Sequence, residues 1–257
     1  MRVFMLLTSS NNFYNQEDYA SKKRKKPDAS ATKVLQSFFC VDANTGQPLL
    51  FINGSSGKKC ASATIDLMER IKKTGLKKGL FVADKEHFTS EIAEWFVQHK
   101  EYEILMPAPD FKKITDVYEE QEYSRIWAGY SIAESVYTFS ESKIELRLII
   151  QREGEVKEEY KYKSFLTNST KEAVNLLSVN FPKRWTIEKF FNFEESHGWS
   201  RASTHNLNIK YGKQTLALLA QAATHQLKRQ LPNEYSKWSA KSLAENVIYK
   251  FRWRYKS

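Results

Sequence analysis

The sequence predicts an α/β fold: a mixed sheet flanked by helices and interrupted by an antiparallel β insertion. Three observations carry this. Leu80-Phe81-Val82-Ala83 is a short, continuous apolar run ending in Asp84, the pattern of a parallel strand buried on both faces. Helical periodicity flanks it, with Thr64, Leu67, Met68 and Ile71 ahead and Ile92, Trp95, Phe96 and His99 behind. Between Pro109 and about Ser164 the texture changes to period-two runs rich in Tyr, Ile, Leu and Val, with turn signals at Ser140-Glu141-Ser142 and Gly154.

In order along the chain, Arg2–Leu7 is a short β-like run that starts as if a strand had been cut. Asn11 to Ser30 is polar and holds five consecutive cations, Lys22, Lys23, Arg24, Lys25 and Lys26. Such a run is either a solvated loop or a segment that tracks a phosphate backbone. Val34–Val41 and Gln47–Ile52 read as strands joined by a turn at Asn44-Thr45-Gly46. An amphipathic helix over Ala61–Lys73 follows, then strand 80–84, a helix over 90–100, and a strand over 102–106 closed by Pro107-Ala108-Pro109. The inserted strands are Tyr130–Phe139, Lys143–Gln151 and Glu155–Tyr162, forming a sheet that protrudes from the core. Phe165 to Asn168 returns to the main sheet, and helices near 171–178, 181–195 and 211–231 complete it. The last carries Leu216, Leu219, Ala220, Ala223 and Leu227 on one side. The expected organisation is a first part of the core over 1–108, a β-rich insertion over 109–164, and a second part with the C-terminal helices over 165–257.

The 257 residues include 40 basic and 30 acidic ones, a net charge of +10 that suits a polyanionic partner, though solubility alone also accounts for a basic protein. Cys40 and Cys60 have no metal-ligand spacing, so neither zinc nor a disulfide framework is indicated. No apolar run approaches the ~20 residues of a membrane span, and no signal-peptide core is present. A soluble intracellular protein is expected.

Phe181 to Glu195 is the most informative stretch. Arg184, Glu188, Phe191 and Glu195 fall at i, i+4, i+7 and i+11 and share one helix face, while Ile187, Phe190 and Phe193 form a core-facing stripe. An acid on a largely buried helix is costly unless a cation meets it, and Arg184 or a metal ion could serve. An i,i+4 Arg–Glu pair by itself is commonplace. A second acid raises its meaning: Asp84 stands at a strand's carboxyl end, where sites gather in α/β sheets. Thr89 and Ser90 are better caps for the next helix, which leaves Asp84 available.

The combination Phe81-Val82-Ala83-Asp84-Lys85-Glu86-His87-Phe88-Thr89 with Phe181-x2-Arg184-x3-Glu188-x6-Glu195 resembles the DDE transposases of bacterial insertion sequences, in the group with a Tyr-x2-Arg-x3-Glu-x6-Lys signature. The similarity runs from about Lys33 to Gln230 and includes Gly198-Trp199-x-Arg201-Ala202 and Asn206-Leu207-Asn208-Ile209-x-Tyr211-Gly212. Phe181 replaces the family's Tyr, and Glu195 replaces its Lys, reversing a charge that would face phosphate.

The resemblance implies a ribonuclease-H-like fold with an all-β insertion and cleavage and transfer of DNA strands with two Mg²⁺ or Mn²⁺ ions. Asp84 and Glu188 would be the catalytic and metal-binding acids, within ~4–7 Å of one another. Lys183, Arg184, Trp185, position 195 (here Glu195), Arg201 and the Lys22–Lys26 run would face DNA. Partners would be double-stranded transposon ends and target, with a homodimer in a synaptic complex, in the bacterial cytoplasm at the nucleoid. Trp185 either stacks on a base or belongs to the core. Trp238, Phe251, Trp253 and Tyr255 interleave with cations and suit nucleic-acid contact or packing of a basic tail.

The family's first acid lies on the first strand, yet no Asp or Glu precedes Glu17, and Asp18, Asp28 and Asp42 are poor substitutes. The expectation is a motif lost upstream of Met1. The alternative is a catalytically inactive, DNA-binding remnant.

Overall fold

The computed structural model describes residues 2–13, 33–55, 57–127, 129–185 and 206–248. The chain divides into two units, Met1–Asn192 and Phe193–Ser257. The first is built on a mixed sheet of nine strands among the described residues, in the order β3-β2-β1-β4-β5-β9-β8-β7-β6.

β1 (Val3–Phe13), β2 (Lys33–Asp42) and β3 (Pro48–Ser55) form an antiparallel meander. β1 runs six residues past the expected end at Leu7, because its polar Ser-Ser-Asn-Asn half finds ladder partners on β2 out to Lys33. β4 (Gly79–Val82) lies parallel to β1, and β5 (Tyr102–Pro107) parallel to β4. Leu80, Phe81 and Val82 are all buried, as a strand covered on both faces requires.

α1 (Cys60–Lys73) and α2 (Ser90–Gln98) cover one face. Alternate strand residues Phe4, Leu6, Phe81, Ala83, Ile104 and Met106 pack there with Leu67, Met68, Ile92 and Phe96. Phe81 is the hub, 5.2 Å from the Phe4 ring, 5.9 Å from Phe96 and 5.9 Å edge-on to Tyr102. Gly79 has to be glycine for this packing, since a Cβ there would lie 2.6 Å from the Phe4 ring. Val3, Met5, Leu80, Val82 and Leu105 are buried on the other face. A helical segment runs along that side from Ala173: one turn of α4 (Ala173–Asn175), a wide turn over Leu176–Asn180 and a tight turn over Phe181–Trp185. Phe181 seats it edge-on against Phe165, 4.8 Å between ring centroids.

After the short α3 (Lys112–Thr115), β6 (Ser124–Trp127), β7 (Tyr130–Thr138) and β8 (Glu145–Glu153) are antiparallel, as the alternation predicts. They do not form a separate projection. β9 (Lys161–Thr167) pairs with both β8 and β5, so the inserted strands extend the central sheet. The strand expected over Glu155–Tyr162 is a tight turn at Lys157–Glu159, and pairing begins at Lys161. Gly154, at φ 116°, starts this detour, and the Arg152 guanidinium fills it, 4.2 Å from both the Tyr123 and Tyr160 rings. Asn168 fastens the junction: its Oδ1 accepts from Ile104 N–H at 2.8 Å, and its Nδ2 donates to Phe96 O (3.1 Å) and Tyr102 O (3.0 Å).

In the second unit α5 (Leu207–Gln230) begins at Asn206, whose side chain accepts from the N–H groups of Asn208 and Ile209. The apolar side read from the sequence faces largely outward: Leu216 and Leu219 are 67% and 60% exposed, while Gln214, Leu218 and Gln221 are buried. Those three recur at i, i+4 and i+7 on the face roughly opposite the apolar stripe, so apolar periodicity alone does not select the buried side of this helix.

Candidate active site

Asp84 stands just past the carboxyl end of β4, still extended at φ −90° and ψ 171°. Its Oδ1 accepts from Lys85 N–H at 2.8 Å and so caps the single tight turn Lys85–His87. Asp84 is therefore partly a cap, contrary to the sequence expectation, while Thr89 caps α2 by accepting from Ile92 N–H. The Asp84 side chain remains 55% exposed. Below it His87 is buried, and burial pushes its imidazole down to about 4, against the weaker raising influence of Asp84. A neutral ring thus supports the strand end, its Nδ1 without a hydrogen-bond partner among the described residues.

Arg184 arrives from the helical segment on the other side of the sheet. Its Nη1 lies 3.1 Å from Asp84 Oδ1, and its guanidinium sits 5.4 Å from the Phe181 ring. Lys183, one residue earlier, donates from Nζ to Asn44 Oδ1 at 2.9 Å in the turn between β2 and β3. The sequence offered Arg184 a partner four residues on at Glu188; the fold sets it against Asp84, one hundred residues back in the chain. Neither the Asp84 contact nor the Lys183–Asn44 contact has a local signature in the sequence. Trp185 closes the last described turn. Glu188, Glu195, Arg201, Lys22, Lys23, Arg24, Lys25 and Lys26 lie outside the described residues, and with them the expected Asp84–Glu188 separation.

The described part of the C-terminal tail holds Trp238, edge-on to Tyr235 at 4.8 Å; Phe251, Trp253 and Tyr255 lie outside it.

The location expected for a first-strand acid needs correction. β1 and β4 are parallel, with Val3, Phe4 and Met5 abreast of Leu80, Phe81 and Val82. Residues ahead of Val3 therefore lie toward the end of the sheet away from Asp84, and an acid upstream of Met1 would be on the wrong side. Asp42, another candidate, is abreast of Phe4, and its Oδ1 is taken by the N–H groups of Asn44 (2.9 Å) and Thr45 (3.1 Å). It is a turn-forming residue.

Two hard divalent ions need several carboxylates converging from different elements. Among the described residues no group of three or more His, Cys, Asp or Glu has that arrangement. β1 itself, Val3–Phe13, contains no acid. The donor set among the described residues does not fit a complete two-ion centre.

A family model described as "Transposase DDE domain" matches residues 10–253. A search of curated proteins finds no match. Among solved structures, a cryo-EM structure of the piggyBac transposase synaptic complex with hairpin DNA superposes with a TM-score of 0.54 at 9% identity. The alignment covers 87% of this chain and 46% of that one, so the present chain spans less than half of its neighbour's length. At this identity the likeness concerns the fold, and the ribonuclease-H-like expectation is met.

Proposed function

The chain belongs to the transposase DDE domain family, and from that premise we propose that it is the catalytic domain of an insertion-sequence transposase. Its substrate class is double-stranded DNA at the ends of a mobile element and at the target. The reaction its fold serves is metal-dependent strand cleavage and transfer, with Mg²⁺ or Mn²⁺ as the cofactor. Asp84 and Glu188 would be two of the acids, and Lys183, Arg184, Trp185, Arg201 and the Lys22–Lys26 run would contact DNA. Residues 109–164 are the insertion that separates the two parts of the core. We place the protein in the bacterial cytoplasm, working as a homodimer at the nucleoid. No helix among the described residues is long and apolar enough to cross a membrane.

The observation that carries this reading is the Arg184–Asp84 contact at 3.1 Å. It supports a site at the carboxyl end of β4 that the Arg-x3-Glu segment enters from the opposite face. A second reading, a cleavage-deficient DNA-binding relic, is favoured by the acid-free β1 and by the guanidinium already balancing Asp84.

The test is duplex DNA binding by the full chain across salt concentration. Counterion release predicts a loss of at least ~10-fold between 50 and 200 mM salt. Absence of binding at low salt would overturn the reading. Mg²⁺-dependent nicking by the unmodified chain, abolished by Asp84→Asn or Glu188→Gln, would favour the active enzyme over the relic.

A further inference from the structure

We infer that Leu7 occupies the strand position from which a carboxylate would complete the metal site, and that the Arg184 guanidinium, not a divalent cation, balances Asp84 in this chain. The inference rests on the transposase fold proposed above and sides with its second, cleavage-deficient reading.

The parallel register fixes the position. From Val3↔Leu80, Phe4↔Phe81 and Met5↔Val82, two further residues set Leu6 abreast of Ala83 and Leu7 abreast of Asp84. The β1–β4 ladder itself ends at Met5↔Val82, and the register is carried on by the outer neighbours of each strand: Ala83 N–H donates to Leu105 O at 3.0 Å, and Leu7 remains paired with Phe39 of β2. Asp84 is extended, so the pleat carries on through it. Period-two alternation then separates the faces. Phe4, Leu6, Phe81 and Ala83 belong to the core under α1 and α2. Positions 5 and 7 of β1 therefore fall on the face of Val82 and Asp84, which is the side from which Arg184 comes. Neighbouring strands are ~4.8 Å apart, a spacing at which carboxylates from positions 7 and 84 could share a hard cation.

No other β1 residue meets both conditions. Met5 is on the right face but abreast of Val82, and Leu6 is level with Ala83 on the core face. The thiols, Cys40 buried and Cys60 on α1, supply no alternative ligand there. With leucine at position 7, a single strand-end carboxylate is left opposite a guanidinium at 3.1 Å, an ion pair that needs no metal.

The test is Mn²⁺ binding by the full chain, read from the loss of the free-ion electron paramagnetic resonance signal. Leu7→Asp should bind Mn²⁺ at least ~10-fold more tightly than the unmodified chain. Adding Asp84→Asn to Leu7→Asp should return affinity to the starting level, and the uncharged Leu7→Asn should gain nothing. The proposal fails if the unmodified chain binds as tightly as Leu7→Asp, if Asp84→Asn leaves the gain intact, or if Arg184→Gln alone produces the gain. Should Leu7→Asp not fold, a Leu7→Cys/Asp84→Cys double variant tests the register directly. Abreast positions of adjacent strands lie within the ~4.4–6.8 Å Cα range of a disulfide, so oxidation should leave two of its four thiols titratable. A folded double variant that keeps all four thiols would overturn the placement. Loss of DNA binding by the unmodified chain would sink the functional reading while leaving the Mn²⁺ comparison to stand or fall separately.

Discussion

Asp42 and Asp84 both close a strand of the same sheet, and the fold uses them differently. Asp42 is 9% exposed, with both its backbone contacts, from Asn44 and Thr45, satisfying a tight turn. Asp84 has one backbone contact, is 55% exposed in its side chain and accepts a cation from another element. A strand-end aspartate is thus a structural residue where the following turn supplies two N–H donors. It becomes a candidate for chemistry where the turn supplies one and leaves the carboxylate facing outward.

The largest expected effect concerns what underlies the Asp84 end. His87 is pushed down to about 4 in the folded protein by burial, from an ordinary value of 6.5. The unfolded chain therefore takes up the proton first as pH falls. The stability linked to His87 is fully present above 6.5 and lost on acidification toward 4, by about 3 kcal/mol. Urea unfolding at pH 7 and pH 4.5 should reveal that slope, and His87→Phe should flatten it. An unchanged slope in the variant would place the acid sensitivity elsewhere.

Next, Asp42→Ala removes a buried acceptor from two N–H groups and should cost ~1–3 kcal/mol in the same assay. Asp84→Ala should cost about 1 kcal/mol or less, because its ion pair with Arg184 is partly solvated, with the carboxylate side more than half exposed. The contrast between the two aspartates breaks if Asp84→Ala proves the costlier. Smallest is Lys183→Ala, which releases Asn44 from an exposed contact and should change stability by no more than ~0.5 kcal/mol. If Lys183 faces DNA, the same substitution lowers duplex affinity and the salt slope by about one phosphate's share.

The α/β core was legible because its elements are locally periodic. α1 buries Thr64, Leu67, Met68 and Ile71 as their spacing predicts, and the apolar run beginning at Leu80 forms an interior strand buried on both faces. The inserted strands β7 and β8 were legible from alternation, but their merger with the main sheet was not. That merger depends on Leu105 meeting Thr167, a pairing across 62 residues that no local pattern encodes. β1 was read as too short because Ser9, Ser10, Asn11 and Asn12 look like loop residues until β2 supplies their partners. The site was legible at Asp84 as a residue type in a position. The Arg184 contact depended on where a distant helical segment docks, and the place of the absent acid depended on strand direction, which sequence spacing does not state.

The Asn168 clamp also has a consequence for how the chain acquires its fold. Its three hydrogen bonds join backbone at Phe96, Tyr102 and Ile104 to a residue made more than sixty positions later. During synthesis β5 emerges with one edge open, and that edge stays open until β6, β7 and β8 have been made and β9 arrives to cover it. The hairpins β6–β7 and β7–β8 close over short loops and can form early, whereas the β5–β9 seam closes a far longer loop at a larger entropic cost. Premature release of the nascent chain before residue 168 therefore exposes a strand edge whose natural fate is pairing with another chain, and a ribosome-bound chaperone would have its clearest target in that interval.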